Sequence, residues 1–155
     1  MPRRRSQGEF VEIRPATNLA DTYSGWIEAR WGYLPVCDWL KGESPRASAL
    51  PHVLGMTDVE GDLVGAGAIL ADDMTDRPQW NPWLACLFVT PPNRGLGIGA
   101  RLSTQLVGYA KATCPELYLF CEPNLEHFYK RLGFLPIESR SYEGHLTTVM
   151  KLRSS

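Results

Sequence analysis

A run of closely spaced glycines follows the most apolar segment of the sequence. Residues 94–99 read Arg-Gly-Leu-Gly-Ile-Gly, so Gly95, Gly97 and Gly99 stand at alternate positions just before a predicted helix. Backbone N–H groups at a helix start lack helical partners, and the helix dipole favours anions there. Glycine lets a ligand approach the backbone closely, and Arg94 adds a positive charge that can bridge phosphate oxygens. The pattern therefore predicts a pyrophosphate cradle.

Two other nucleotide-binding patterns compete for this loop. A Walker P-loop requires Lys followed by Ser or Thr directly after its glycines, and no Lys-Ser or Lys-Thr pair follows Gly99. A dinucleotide fingerprint does match from Gly95 to Ala100, and Glu122 lies about 20 residues further on. However, a long stretch of chain precedes this match and only one βαβ unit follows from it. A dinucleotide-binding protein therefore stays as the weaker alternative.

A second segment places a tyrosine on the inner face of a helix. Residues 128–134 read Phe-Tyr-Lys-Arg-Leu-Gly-Phe, and Tyr129 falls on the same face as the apolar residues. Taken with the glycine loop, this segment resembles the GCN5-related N-acetyltransferase (GNAT) family. Val89-x-Pro91-x-x-Arg94-Gly-x-Gly-x-Gly is similar to the family's pyrophosphate motif, and residues 128–134 are similar to its tyrosine-bearing helix. The resemblance implies an acetyl-CoA-dependent N-acetyltransferase that moves an acetyl group directly to a primary amine of a small molecule or peptide.

The resemblance also implies roles for individual residues. Tyr129 is the expected catalytic hydrogen-bond donor to the leaving thiolate. Asn124 is expected to contact acetyl-CoA from the next helix start, or only to cap that helix. The remaining cofactor-binding residues fall into a strand that holds the pantetheine arm and a loop that holds the pyrophosphate: Leu87, Phe88 and Val89, then Arg94, Gly95, Leu96, Gly97, Ile98 and Gly99.

The base that removes the amine proton is left open by the sequence. A lysine-like amine with a pKa of ~10.4 is neutral in only about one molecule in 2,500 at pH 7. The family often uses a carboxylate on the central strand, but residues 83–89 and 117–121 contain no acid. Asp72, Asp73 or a water molecule are the candidates. We expect a cationic acceptor whose neutral form is selected, with a water-linked carboxylate taking the proton.

Two further hypotheses concern other chemistry. Cys86 on the predicted cofactor strand could accept an acyl group, but a small buried side chain is the better interpretation, which favours direct transfer. The three histidines and four cysteines lack metal-ligand spacing, so no metal site is expected. A non-catalytic module that senses acetyl-CoA would keep the glycine loop without needing an acceptor cleft. That module is the alternative from another functional class.

Periodicity predicts the elements that must position these residues. Helices are expected over residues 18–31 with a cap at Asn18 or Asp21, then within residues 32–49, after the glycine loop up to Pro115, and from Asn124 to Gly133. Strands are expected at residues 10–14, 52–58, 62–70, 83–89, 117–121, 134–139 and 147–152. This order predicts an α/β (α+β) fold of the GNAT type with a mixed, mostly antiparallel central sheet flanked by helices.

Composition limits the classes of protein and partner. The chain has 155 residues with 44% apolar and 21% charged side chains, which suits one domain over residues 9–155 behind a disordered basic tail over residues 1–8. Arg3, Arg4 and Arg5 stand in this tail, leaving 13 basic and 17 acidic residues in the domain, a net charge of −4. We therefore expect no nucleic-acid partner. The absence of a long apolar run and of a secretory signal predicts a cytoplasmic protein without membrane attachment. A homodimer is left open.

Overall fold

A single mixed sheet organises the computed structural model, which describes residues 8–44 and 50–153. The predicted basic tail lies outside these residues except for Gly8. The strands are β1 (Glu9–Glu12), β2 (His52–Thr57), β3 (Leu63–Leu70), β4 (Trp83–Val89), β5 (Tyr118–Cys121), β6 (Phe134–Tyr142) and β7 (His145–Leu152). They lie in the order β1-β2-β3-β4-β5-β7-β6. Only β4 and β5 pair in parallel among the described strands, which confirms the mostly antiparallel sheet.

Helices cover both faces of the sheet. They are α1 (Asn18–Trp31), α2 (Pro35–Leu40), α3 (Ile98–Thr113) and α4 (Glu126–Lys130), with 3-10 turns at Pro91–Asn93 and Pro123–Leu125. Tyr23 and Ile27 of α1 are buried with Leu40 of α2 against small residues of β3. On the other face, the buried residues of α3 recur at helical spacing: Ile98, Leu102, Leu106 and Ala110. Helix α3 therefore buries the apolar face that its sequence periodicity predicted.

Small residues in β3 allow α3 to approach the sheet closely. The strand reads Leu-Val-Gly-Ala-Gly-Ala-Ile-Leu, and all eight of its residues are buried. A Cβ atom added at Gly65 would lie 3.0 Å from Ile98 Cγ2 and 3.0 Å from Leu102 Cδ1. Real Cβ contacts are seldom this short, so α3 would have to shift away if Gly65 carried a side chain. This close packing fixes where α3 begins, and the glycine loop ends there.

The two parallel strands separate after their first residues. The register between β4 and β5 consists of Trp83 opposite Tyr118, in the part of the chain that the structure describes. An aromatic group fills the point of separation, where Tyr118 stacks on Trp80 at 5.6 Å and lies at 45° to Trp83. Beyond this point a gap opens between the later residues of β4 and β5. The site described below occupies that gap.

Several predicted boundaries differ from the structure. Thr17 caps α1, because its Oγ1 accepts a hydrogen bond from the Ala20 N–H at 3.2 Å, so the predicted caps Asn18 and Asp21 are wrong. Asn124 does not cap a helix either. It lies within the 3-10 turn Pro123–Leu125, which Pro123 starts with its fixed φ, and α4 begins two residues later without a side-chain cap.

The last two strands are longer than the sequence pattern indicated. Predicted to end at Ser139 and to resume at Thr147, they instead continue to Tyr142 and restart at His145. Glu143 (φ +51°) and Gly144 (φ +84°) form the two-residue turn between them, with Tyr142 paired to His145. Positive φ at both central residues is the geometry that matches the twist of a tight hairpin. The longer hairpin brings its tip to the gap between β4 and β5.

Candidate active site

The gap between β4 and β5 is a cleft of about 670 Å³. Its walls are the last residues of β4, the end of β5, and Tyr129 of α4. The turn of the β6–β7 hairpin closes one side through Tyr142 and Glu143, and the loop after β3 contributes Asp73. Arg94 lies at the end of the cleft next to the glycine loop. The structure thus brings residues from several separate elements around one space.

The glycine loop has the backbone geometry that its sequence requires. Gly95 and Gly97 adopt φ angles of +80° and +84°, which L side chains rarely adopt. A Cβ atom built on either would have no heavy atom within 4 Å, so open space lies beside both. Ile98 is 1% exposed and anchors the start of α3 in the core. Only backbone groups of Ile98 are therefore available to a ligand, whereas Leu96 is exposed.

Arg94 is held at the end of β4 by two contacts. Its Nε donates a hydrogen bond to the Val89 carbonyl at 2.8 Å, and its guanidinium carbon lies 5.3 Å from the centroid of the Phe88 ring. The hydrogen bond and the cation–π contact hold the guanidinium group of Arg94 beside the glycine loop. A positive charge in a set position, next to N–H groups at a helix start, can bind a phosphate.

The predicted cofactor residues divide into two groups. Leu87, Phe88, Val89 and Arg94 line the cleft together with the predicted catalytic residue Tyr129. The glycines of the loop stand beside the cleft at the start of α3, where a Cβ on Gly99 would lie 3.8 Å from both Val89 and Phe128. Asn124 is exposed and is not among the residues that line the cleft.

Tyr129 is a neutral hydrogen-bond donor in this environment. Its half-buried ring packs edge-on against Phe128 at 4.9 Å and against Phe134 at 6.2 Å. Burial raises the pKa of the hydroxyl well above its usual value, and the nearby Cys121 thiol raises it further. The hydroxyl therefore keeps its proton at any physiological pH.

The structure separates the two candidate aspartates. Asp72 is exposed and does not line the cleft, whereas Asp73 is half-buried and does. Burial, and then the negative charge of Glu143, raise the pKa of Asp73 to about 7. Within residues 8–44 and 50–153, no group forms a hydrogen bond or ion pair with the Asp73 carboxylate. A carboxylate with such a pKa can take up and release protons near neutral pH.

Two arginine–carboxylate pairs tie the loop that carries Asp73 to β6. Arg77 contacts both carboxylate oxygens of Glu138 at 2.6 and 3.2 Å, and Arg140 contacts both oxygens of Asp76 at 2.6 and 2.9 Å. These arginines lower the pKa values of the Glu138 and Asp76 carboxyls. Paired N–H···O bonds fix direction as well as distance, so the loop has a defined position relative to the hairpin.

Cys86 does not have the properties of a nucleophile. It lines the cleft, but burial raises the pKa of its thiol far above the usual range, with the Asp73 charge as the next cause. The thiolate, rather than the thiol, is the attacking species in cysteine chemistry. The environment of Cys86 therefore favours direct transfer over an acyl-cysteine.

Other polar clusters lie away from the cleft. His52 stacks on Tyr109 at 3.7 Å, and His127 is exposed. Asp58, Glu60 and Asp62 bring three carboxylates together at the β2–β3 turn. Asp58 Oδ1 accepts hydrogen bonds from the Glu60 and Asp62 N–H groups, so the turn itself accounts for that cluster.

Sequence reasoning missed the contribution of the hairpin tip. Tyr142 and Glu143 fall between two predicted strands, although the Glu-Gly pair after an alternating segment is a signal of a tight turn. No sequence signal indicated that Tyr23 would reach Cys86, 63 residues away along the chain.

The described part of the chain contains no helix that is long and apolar enough to cross a bilayer.

Comparisons with known proteins agree with this geometry. The family model described as "Acetyltransferase (GNAT) family" matches residues 16–134. An uncharacterized N-acetyltransferase of Pyropia yezoensis, ycf52, is 24% identical over 131 residues, which are 84% of this chain and 68% of that protein.

Two solved structures have a similar fold. An acyl-CoA N-acyltransferase from Pseudomonas aeruginosa superposes with a TM-score of 0.67 at 17% identity, over 95% of this chain and 100% of that one. Arabidopsis thaliana NAA60 in complex with acetyl-CoA gives a TM-score of 0.68 at 15% identity, over 94% of this chain and 97% of that one.

Proposed function

Because this chain belongs to the acetyltransferase (GNAT) family, we propose that it transfers the acetyl group of acetyl-CoA directly to a primary amine of a small molecule or peptide. One observation carries the proposal. A single cleft is lined by the strand and arginine expected to hold acetyl-CoA, by the Tyr129 hydroxyl, and by a carboxyl group whose pKa is about 7. A donor and an acceptor of protons thus face the same space, as acyl transfer to an amine requires.

The residues at one end of the cleft fit acetyl-CoA. Beyond Trp83, the edge of β4 that faces β5 has no partner strand among the described residues, so its backbone groups can hydrogen-bond to an extended pantetheine arm. The open space beside Gly95 and Gly97 admits a pyrophosphate to the backbone, and Arg94 adds its charge. When bound, acetyl-CoA supplies an activated acetyl thioester. The complex of Arabidopsis thaliana NAA60 with acetyl-CoA supports this choice of co-substrate.

Asp73 is the group that removes the amine proton. Deprotonating an amine with a pKa of ~10.4 at pH 7 costs roughly 4.6 kcal/mol of free energy. A carboxylate with a pKa of about 7 is ionised in half of the molecules at that pH and is a far better base than an ordinary aspartate. We prefer Asp73 over Asp72, since only Asp73 lines the cleft.

Tyr129 acts at the opposite end of the reaction. The leaving thiolate resembles a free thiol with a pKa near ~8.5, so full proton transfer from a tyrosine is uphill. Its half-buried hydroxyl instead donates a hydrogen bond that strengthens as negative charge develops on sulfur. This role needs a protonated tyrosine, and burial keeps Tyr129 in that form.

The acceptor is a cation in solution. Asp73 and Glu143 line the cleft together next to the hairpin turn, whereas Arg94 lies where β4 ends, and the cleft residues Arg30 and Glu122 pair with each other at 3.4 Å. This arrangement orients an anionic co-substrate and a cationic acceptor in opposite directions. The residues around the cleft do not single out one amine, so the test uses a panel of monoamines, diamines and amino-terminal peptides.

A binding and turnover experiment tests the proposal. Calorimetry should detect acetyl-CoA but not NAD, and a thiol-release assay should detect CoA only when an amine is present. Gly97→Val should abolish acetyl-CoA binding. Gly61→Val is the matched control, because Gly61 has a φ of +87° with equally open surroundings but lies in the β2–β3 turn.

The alternatives predict other results. Tight NAD binding without an acetyl-CoA signal would support a dinucleotide-binding protein. Acetyl-CoA binding without CoA release for any amine would support a sensor module instead of an enzyme.

A further inference from the structure

Strand β4 contains a backbone irregularity inside the cleft. Cys86 has a φ of +56°, which is uncommon for a residue with a side chain. The pairing register shows the reason, since Ala66 lies opposite Phe88 and Ala68 lies opposite Ala85. Two residues of β4, Cys86 and Leu87, therefore face a single residue of β3, which defines a β-bulge.

The opposite strand leaves little room to spare at this bulge. Gly67 is the β3 residue between Ala66 and Ala68. A Cβ atom added at Gly67 would lie 3.1 Å from Leu87 Cδ1 and 3.0 Å from Leu106 Cδ1. The bulge thus packs against Gly67, where any side chain would push Leu87 and Leu106 away.

A tyrosine from a different layer holds the bulge. The Tyr23 hydroxyl of α1 donates a hydrogen bond of 2.6 Å to the Cys86 carbonyl. Tyr23 is fully buried, and burial raises the pKa of its hydroxyl, so the hydroxyl stays a donor. Its ring meets Trp26 edge-on at 6.2 Å, and Trp26 packs on Phe88 at 5.2 Å. Through the Tyr23–Trp26 and Trp26–Phe88 contacts, the packing of α1 on β4 thus holds Tyr23 against the bulge.

We propose that Tyr23 is a positioning residue for acyl transfer, acting through the Cys86 carbonyl to hold the β4 bulge in its left-handed conformation. The bulge determines which backbone groups of Cys86 and Leu87 face the cleft. Without the hydroxyl, a residue with a side chain relaxes toward extended backbone, and those groups change direction. Tyr23 does not line the cleft, so it contacts neither substrate. This inference rests on the proposed transferase function.

A double-mutant cycle with Cys86→Gly tests the proposal. Tyr23→Phe should lower kcat about tenfold and raise the KM for acetyl-CoA, whose pantetheine arm follows the same stretch of β4, by a smaller factor, because the phosphate-binding loop is untouched. Glycine adopts a positive φ without cost, so it needs no hydrogen bond to stay there. In the Cys86→Gly background, the same Tyr23→Phe change should lower kcat less than about threefold.

Tyr118→Phe is the matched control. It also removes a hydroxyl from a buried tyrosine, one whose partner is Glu116 at 2.6 Å, outside the cleft. It should alter thermal stability without the kcat effect. Should Tyr23→Phe alone fail to fold, the double variant is compared with Cys86→Gly, and near-equal kcat values are again expected.

Each other outcome is informative. Equal tenfold losses in both backgrounds would overturn the positioning role, and so would wild-type kcat in Tyr23→Phe. If the unmodified protein binds acetyl-CoA but releases no CoA with any amine, the proposed function fails instead, and the positioning role with it.

Discussion

At the scale of single residues, environment distinguishes groups that the sequence treats alike. Asp72 and Asp73 are neighbours with the same side chain, but only Asp73 lines the cleft. Burial and the Glu143 charge raise the pKa of Asp73 to about 7. With this pKa the carboxylate can accept a proton at neutral pH, which is what a general base must do.

The two aspartates should respond differently to substitution. At pH 7, Asp73→Asn should lower kcat/KM for the amine by on the order of 10²–10³-fold, because the amide cannot take the proton. Asp72→Asn is the control and should cost less than about threefold. Steady-state kinetics with the best amine of the panel measures both. A loss below tenfold in Asp73→Asn would instead indicate that Asp73 only orders a water molecule.

Tyr129→Phe should lower kcat by on the order of 10²-fold while acetyl-CoA affinity stays nearly constant. The reason is that the hydroxyl acts on charge that develops during the reaction, whereas the ring packing with Phe128 and Phe134 is kept. Single-turnover kinetics and calorimetry separate the two quantities. Wild-type turnover in this variant would assign Tyr129 to the core alone.

At the scale of elements, the loop after β3, which carries the proposed base Asp73, is tied to β6. The Arg77–Glu138 and Arg140–Asp76 pairs join segments more than sixty residues apart in sequence. Their side chains are partly exposed, so solvent screening reduces what each pair contributes to overall stability. We expect the pairs to keep Asp73 near Glu143 and away from bulk water.

Loosening this loop should change both rate and pH dependence. Arg77→Gln and Arg140→Gln should each lower kcat about tenfold without changing the Kd of acetyl-CoA. The pKa seen in the kcat/KM profile should fall, because a looser loop lets water reach Asp73. Lys151→Gln, which breaks a 3.1 Å pair with Glu116 outside the cleft, is the control. An unmoved profile in both arginine variants would contradict this role for the pairs.

The sequence predicted the order and type of the elements because hydrophobic periodicity and glycine or proline breaks are local signals. These signals located β4 and the glycine loop at the start of a helix, whereas Tyr129 was singled out by the resemblance to the GNAT family. Asp73, Glu143 and Tyr23 were harder to assign, because their roles depend on contacts between distant segments. The pKa of Asp73, for instance, depends on a hairpin tip seventy residues further along the chain. Local sequence patterns do not predict such contacts between distant segments.

At the scale of the whole molecule, the cleft has opposite charge at its two ends. Arg94 lies next to the glycine loop and Asp73 with Glu143 next to the hairpin turn, while the charges of Arg30 and Glu122 in the lining offset each other as a 3.4 Å ion pair. The domain behind the basic tail carries a net charge of −4. A cationic acceptor is therefore attracted to the molecule and then directed to one end of the cleft.

Keeping Asp73 in the cleft should reduce folding stability at high pH. Its pKa is about 7 in the folded state against 3.8 for the unperturbed group, so the folded state favours the neutral form. The contribution of Asp73 to the free energy of unfolding is therefore fully present below pH ~4. It decreases as the pH rises through about 7, and it is absent at higher pH. Asp73→Asn should therefore raise Tm at pH 8 by on the order of 4 °C, with little change at pH 4. Calorimetric scans across this range measure the effect, and a lower Tm at pH 8 would contradict it.

The pH dependence of kcat/KM for the amine tests the central claim most directly, because this ratio reports the ionisation of the free enzyme and of the free amine, whose pKa values lie far apart. The unmodified protein should release CoA in an amine-dependent reaction whose kcat/KM rises with pH and levels off above about 7, the pKa of Asp73. Asp73→Asn should lose that inflection. A profile that climbs to the pKa of the amine itself in both proteins, or no amine-dependent release at any pH, would contradict the account.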